Sequence, residues 1–64
     1  MKEKLKELRK EKGVTQAEVA KAIGVTASAY SNYEQGLREP SHEVIKFLCK
    51  YFNVSADYLL GIED

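Results

Sequence analysis

Residues 16 to 35, QAEVAKAIGVTASAYSNYEQ, constrain the fold of this chain more than any other segment. Val19, Ala20, Ile23, Val25, Tyr30 and Tyr33 form one apolar seam through two short stretches of helical period. Thr15 precedes the first stretch and Glu18 follows three residues later, which is the spacing of a capping box that satisfies the free amides of a helix start. Gly24 stands one residue past the last apolar position of the first stretch, where a left-handed residue ends a helix and turns the chain sharply. Val25 anchors that turn, Thr26 caps the second stretch and Gly36 closes it. Ala20 falls where the two helices cross most closely, so a larger side chain there would push them apart.

This is the layout of a helix-turn-helix, whose second helix is held out to enter a DNA major groove. The flanks read as helix too. A first helix over about 2–12 carries Met1, Leu5 and Leu8 on one face and stops at Gly13. The motif supplies helices over 16–23 and 27–35. Pro40 and Ser41 open a fourth, with Val44, Ile45, Leu48, Tyr51 and Phe52, which Asn53 ends in the left-handed region. Ser55 caps a last short helix containing Tyr58, Leu59 and Leu60, closed by Gly61. No segment alternates with a strand period, so the expected fold is all-α, five helices in a single domain over 1–64.

The segment resembles the phage-repressor/Cro type of helix-turn-helix, also called the xenobiotic-response-element family. The lead-in LKELRKEKGVTQAEVA (5–20) is similar to the family's opening, YEQGLREPS (33–41) to its motif exit, and YFNVSADYLLG (51–61) to its closing helix. The likeness covers 5–61, and four pieces in order at matching spacing are specific together. It implies a compact lambda-repressor-like DNA-binding domain.

From the resemblance, Ala27, Ser28 and Asn32 near the start of the third helix face base edges. Asn32 is the best direct reader, because an amide can bond adenine in a bidentate way. Ser28 discriminates less, and Ala27 can meet only a thymine methyl. Family members often carry Gln or Arg at positions 27 and 28, so the short side chains here shift weight toward shape readout. Tyr30 could add a contact through its hydroxyl, although its ring reads as core. Phosphate contacts fall to Gln16, Ser31, Gln35, Arg38 and Ser41. Gln16 opens the second helix, where amides and the helix dipole favour an anion, and it could alternatively brace Asn32 or reach a base. Gln35 and Arg38 fit the family's backbone clamp, and Ser41 could combine a cap with a phosphate contact. Arg9 and Glu34 match a structural ion pair that ties the first helix to the end of the third.

The chain has ten Lys/Arg and ten Asp/Glu, a neutral balance that is unusual for a nucleic-acid binder. The balance is uneven, at +3 over 1–12, −1 over 13–36 and −2 over 37–64, which places the acidic excess away from the expected DNA side. Few phosphate contacts per subunit and strong dependence on salt and dimerisation follow. Lys2, Lys4, Lys6, Lys10 and Lys12 read as a solvated face with Glu3, Glu7 and Glu11 as weak helix partners, and direct DNA contact from that run is the minor reading. Tyr51, Phe52 and Tyr58 read as core, and Ser28 and Asn32 taken alone could be solvated surface.

The single Cys49 cannot form an internal disulfide and reads as a packing thiol in a reducing cytoplasm. His42, where the family often has an apolar residue, has no second His or Cys spaced to share a metal, so no metal site is expected. No apolar run is long enough for a membrane span and no segment has a signal-peptide pattern. No catalytic arrangement, glycine-rich phosphate loop, cofactor site or small-molecule ligand site is evident, so an enzyme is not expected.

One recognition helix reads only a few base pairs, so a homodimer on two half-sites is expected. Phe47, Tyr51, Leu59 and Ile62 are its candidate surface, as an exposed apolar patch. Alternatively Phe47 merely extends the core. The partner is then double-stranded DNA, and the role a cytoplasmic transcriptional regulator of bacterial, phage or plasmid origin, a Cro-like repressor on a pseudopalindromic operator. Little chain follows residue 61, so no ligand-sensing domain is expected, and the chain reads either as a minimal regulator or as the N-terminal piece of a longer one. The alternatives are a protein-interaction module such as the antitoxin of a toxin–antitoxin pair, or a helix-turn-helix scaffold without DNA binding.

Overall fold

A computed structural model describes residues 1–62. The chain forms α1 (Lys2–Lys12), α2 (Gln16–Ile23), α3 (Ala27–Gln35), α4 (His42–Phe52) and α5 (Ala56–Leu60). No strand occurs among the described residues. Each helix stands where its boundary residues put it. Thr15, Thr26, Ser41 and Ser55 cap α2 to α5, their side chains accepting from the backbone N–H three residues on. At Thr15 the box is reciprocal, since the Glu18 carboxylate accepts from the Thr15 N–H at 3.0 Å. These caps satisfy amides that the helical ladder leaves free, each contributing about 1 kcal/mol.

All five helices stop in the same way. A left-handed residue follows each one, Asn53 after α4 and glycine elsewhere. The next N–H then reaches back to the carbonyl five residues earlier: Val14 to Arg9, Val25 to Ala20, Leu37 to Asn32, Val54 to Cys49, Ile62 to Asp57. The position after the left-handed residue is apolar every time, the usual companion of this Schellman stop. Three of these residues, Val14, Val25 and Val54, pack against the core, while Leu37 and Ile62 are about 70% and 72% exposed.

The core consists of Leu5, Leu8, Val19, Ala20, Ile23, Tyr30, Tyr33, Leu48 and Leu59. Ala20 is buried where α2 packs on α3, its small side chain permitting close approach. Tyr30 and Tyr33 meet edge to face with centroids 6.4 Å apart. Two α1 lysines face inward across aromatic rings, Lys4 over Tyr58 at 4.2 Å and Lys12 over Tyr51 at 4.8 Å. These rings therefore tie α1 to α5 and α4. Among the described residues no helix is long and apolar enough to cross a membrane.

Candidate nucleic-acid interface

Burying Tyr30 and Tyr33 on one side of α3 forces the other side outward. Helical register gathers Ser28, Ser31, Asn32 and Gln35 on that outer side, with exposed Ala27 at its edge. Ser28 and Gln35 are exposed, and Ser31 and Asn32 are half-buried. The Gln35 amide donates to the Ser31 hydroxyl at 2.8 Å, which fixes both and leaves the Ser31 O–H and the Gln35 carbonyl to address a partner. The Asn32 side chain makes no hydrogen bond within the described residues. This outer side carries no formal charge, because the one ionisable carboxylate of α3, Glu34, is turned inward and 1% exposed.

Glu34 is the centre of the network that orients the helix. Arg9 donates to it twice, Nε to Oε2 at 2.7 Å and Nη2 to Oε1 at 3.3 Å, and donates a third time to the Val14 carbonyl at 3.2 Å. The expected ion pair is thus present, and it fastens three segments together: α1, the turn before α2, and the last turn of α3. Gln16 joins it, its amide donating to Glu34 Oε1 at 3.0 Å. This corrects the expectation that Gln16 braces Asn32. Its partner is the buried carboxylate, whose unmet acceptor capacity outweighs any bond to a half-solvated amide. One amide hydrogen of Gln16 and the backbone N–H groups of Gln16 and Ala17 make no hydrogen bond within the described residues, whereas the Glu18 N–H is taken by the Thr15 cap. Burial pushes the Glu34 carboxyl up, but hydrogen bonds from Arg9 and Gln16, the nearby Tyr30 hydroxyl and the Arg9 charge together outweigh burial and hold it below its ordinary value.

Tyr30 is fully buried beside this network, and its hydroxyl makes no hydrogen bond of acceptable geometry. Burial, then the neighbouring Glu34, raise its ionisation far above the ordinary phenol value, so it stays neutral. Tyr30→Phe removes an unsatisfied polar group and is expected to stabilise the fold by about 1 kcal/mol. A thermal melt checks this, and a comparable loss would mean the hydroxyl is bonded to Glu34 in solution.

Arg38 and Ser41 flank the outer side of α3. The Asn32 backbone carbonyl accepts from the Leu37 N–H at 2.9 Å and the Arg38 N–H at 3.4 Å, which ties the Arg38 backbone to α3. Its guanidinium is exposed and unpaired among the described residues. The Ser41 oxygen accepts from the Val44 N–H at 3.2 Å, so its own O–H remains a donor at the start of α4.

The helix-turn-helix family model matches residues 5–59 of this geometry. The chain belongs to the phage-repressor/Cro-type helix-turn-helix family. It is 43% identical over 58 residues to the uncharacterised HTH-type transcriptional regulator YqaE of Bacillus subtilis, spanning 91% of this chain and 50% of that protein. To the HTH-type regulator ImmR of the same organism it is 39% identical over 61 residues, 95% of this chain and 48% of that protein. To the cryptic phage CTXphi repressor RstR of Vibrio cholerae it is 39% identical over 51 residues, 80% of this chain and 46% of that protein. The chain therefore spans about half the length of the curated relatives it matches. No solved structure matches it significantly.

Within this helix-turn-helix domain one of the four candidate dimer residues does not reach the surface. Leu59 is fully buried, a correction to its place on an exposed surface: α5 turns Leu59 into the core and leaves its neighbour Leu60 43% exposed. Tyr51 is half-buried between Lys12 and the edge of Phe52. Phe47 is 45% exposed, and it borders an apolar cleft with Ile45, Cys49 and Ala56. Burial pushes the Cys49 thiol up, which suits a packing role. Sequence reasoning missed Leu37, exposed between Gly36 and Arg38 at the exit of α3; the signal was its place after the glycine of the α3 stop.

Proposed function

We propose that this chain is a sequence-specific duplex-DNA-binding transcriptional repressor that occupies an inverted-repeat operator as a homodimer, with α3 in the major groove. The observation that carries the reading is the uncharged polar side of α3, projected outward while Arg9, Glu34 and Gln16 lock its inner side to the rest of the fold. A neutral face of short side chains suits close approach to base edges, with Asn32 as reader and Ala27 and Ser28 as small contacts. Gln16, Ser31, Gln35, Arg38 and Ser41 supply phosphate contacts around it. The repressor role is supported by the similarity to RstR, a transcriptional repressor; occupation of the operator by this chain would occlude polymerase.

Selection of bound duplexes from a random pool at low salt tests this. Enrichment of an inverted repeat with half-sites about ten base pairs apart supports a dimeric reader. No enrichment from a folded protein removes the DNA reading and turns the search to protein partners.

The dimer surface proposed is Phe47 with the exposed side of α5 and Ile62, and Tyr51 at its margin. Phe47→Glu puts a charge into this apolar surface and is expected to give a folded monomer whose operator affinity falls at least tenfold. Sedimentation of the variant with and without operator checks it, and an intact dimer moves the interface elsewhere.

A further inference from the structure

The lysines of α1 divide into two groups. Lys4 and Lys12 are spent on aromatic rings of α5 and α4. Lys2, Lys6 and Lys10 recur every fourth residue, are exposed, and form no ion pair among the described residues. Like charges at this spacing repel along a helix, and Glu3 and Glu7, three residues before Lys6 and Lys10, offset that repulsion. Its position is defined. On a helix of 3.6 residues per turn the row lies between Arg9, which is tied to α3, and the acidic row Glu3, Glu7, Glu11 on the far side. The lysines thus occupy the flank nearer the recognition helix and Glu7 and Glu11 the flank away from it, while Glu3 sits at the end of α1 beside Lys2.

Lys2 fixes the register of that flank against α3. Its side chain lies across Gly36, where an added Cβ would come within 2.9 Å of Lys2 Cδ. Lys2 also shares with Arg38 a cleft of about 280 Å³ floored by Tyr33 and Pro40. Glu3 and Glu39 border the same cleft, so the cleft itself is close to neutral, and the unbalanced positive charge lies on the ridge running from Lys2 toward Lys10. From Lys2 to Lys10 the rise is about 12 Å, enough to span more than one phosphate of a DNA strand.

We propose that Lys2, Lys6 and Lys10 form a second phosphate-binding ridge, contiguous with Arg38, that tracks the DNA backbone beyond the base pairs read by α3. The inference rests on the DNA-binding reading and deepens it, since it names where a chain of zero net charge keeps its affinity for a polyanion. Lys2 stays in place in the test because it packs on Gly36. The salt dependence of binding to a random-sequence duplex of about three helical turns is measured for the wild type, Lys6→Gln/Lys10→Gln, and a control, Lys50→Gln in the last turn of α4. The slope of log affinity against log salt is expected to fall by about 0.9 for each lysine removed from the ridge. The control keeps the wild-type slope, and thermal melts of all three coincide. A Lys6→Gln/Lys10→Gln variant that binds with the wild-type slope overturns the ridge and leaves the DNA reading standing. A folded wild type that binds no duplex at any salt overturns both.

Discussion

Arg9→Ala is expected to cost about 3–5 kcal/mol, because it strands the buried Glu34 carboxylate without its cation. A domain of this size has a total stability of only about 3–10 kcal/mol, so the variant is largely unfolded at 37 °C or melts roughly 12–40 °C lower. The cost arises at Glu34 rather than at Arg9, since Arg9 keeps 20% of its side chain in solvent and Glu34 keeps 1%. Replacing both residues by leucine is therefore expected to cost less than Arg9→Ala alone.

The pH dependence carries an independent sign. In the wild type Glu34 titrates below its unfolded value of about 4.3, so its contribution is complete above that pH and is lost as pH falls through the folded value. In Arg9→Ala, burial is opposed only by Gln16 and the neighbouring Tyr30 hydroxyl, and the carboxyl is expected to move above its unfolded value. Acidification then stabilises the variant through Glu34 while it destabilises the wild type. Melts of both proteins between pH 3 and 7 decide it, and parallel curves would show that the pair contributes nothing in solution.

Asn32→Ala is expected to weaken binding to the selected operator by about 1–3 kcal/mol, or roughly 5–150-fold, and to relax preference at one base pair per half-site. The side chain lies at the centre of the outer side of α3, and the Asn32 backbone carbonyl accepts from the Leu37 and Arg38 N–H groups. Alanine keeps that backbone acceptor, so the fold and the α3 exit survive and the loss reports on the amide alone. Uniform weakening across all base pairs would make Asn32 a backbone contact. No weakening would assign discrimination to Ser28 and to DNA shape.

Most of the fold was legible because its determinants are local. The helix limits follow from Thr15, Thr26, Ser41 and Ser55 at the starts and from Gly13, Gly24, Gly36, Asn53 and Gly61 at the stops, each acting through hydrogen bonds within six residues. The Arg9–Glu34 pair was legible only through the family resemblance, since 25 residues separate its members and nothing in the spacing joins them. The partner of Gln16 was not legible at all. It depends on where a carboxylate 18 residues away comes to rest, and the choice between Glu34 and Asn32 is made by burial.

By itself, then, the sequence determined where each helix starts and stops and which side of α3 is apolar, because caps, left-handed stops and helical period are properties of a few neighbouring residues. Tertiary structure alone decided the fate of residues with identical local chemistry. Val14, Val25 and Val54 pack inward while Leu37 and Ile62, at the same position of the same stop, face solvent. Leu59 is core and Leu60 is surface. Lys4 and Lys12 cover aromatic rings while Lys2, Lys6 and Lys10 stand unpaired. Each of these outcomes turns on whether a distant helix lies within contact distance, and no periodicity along the chain encodes that.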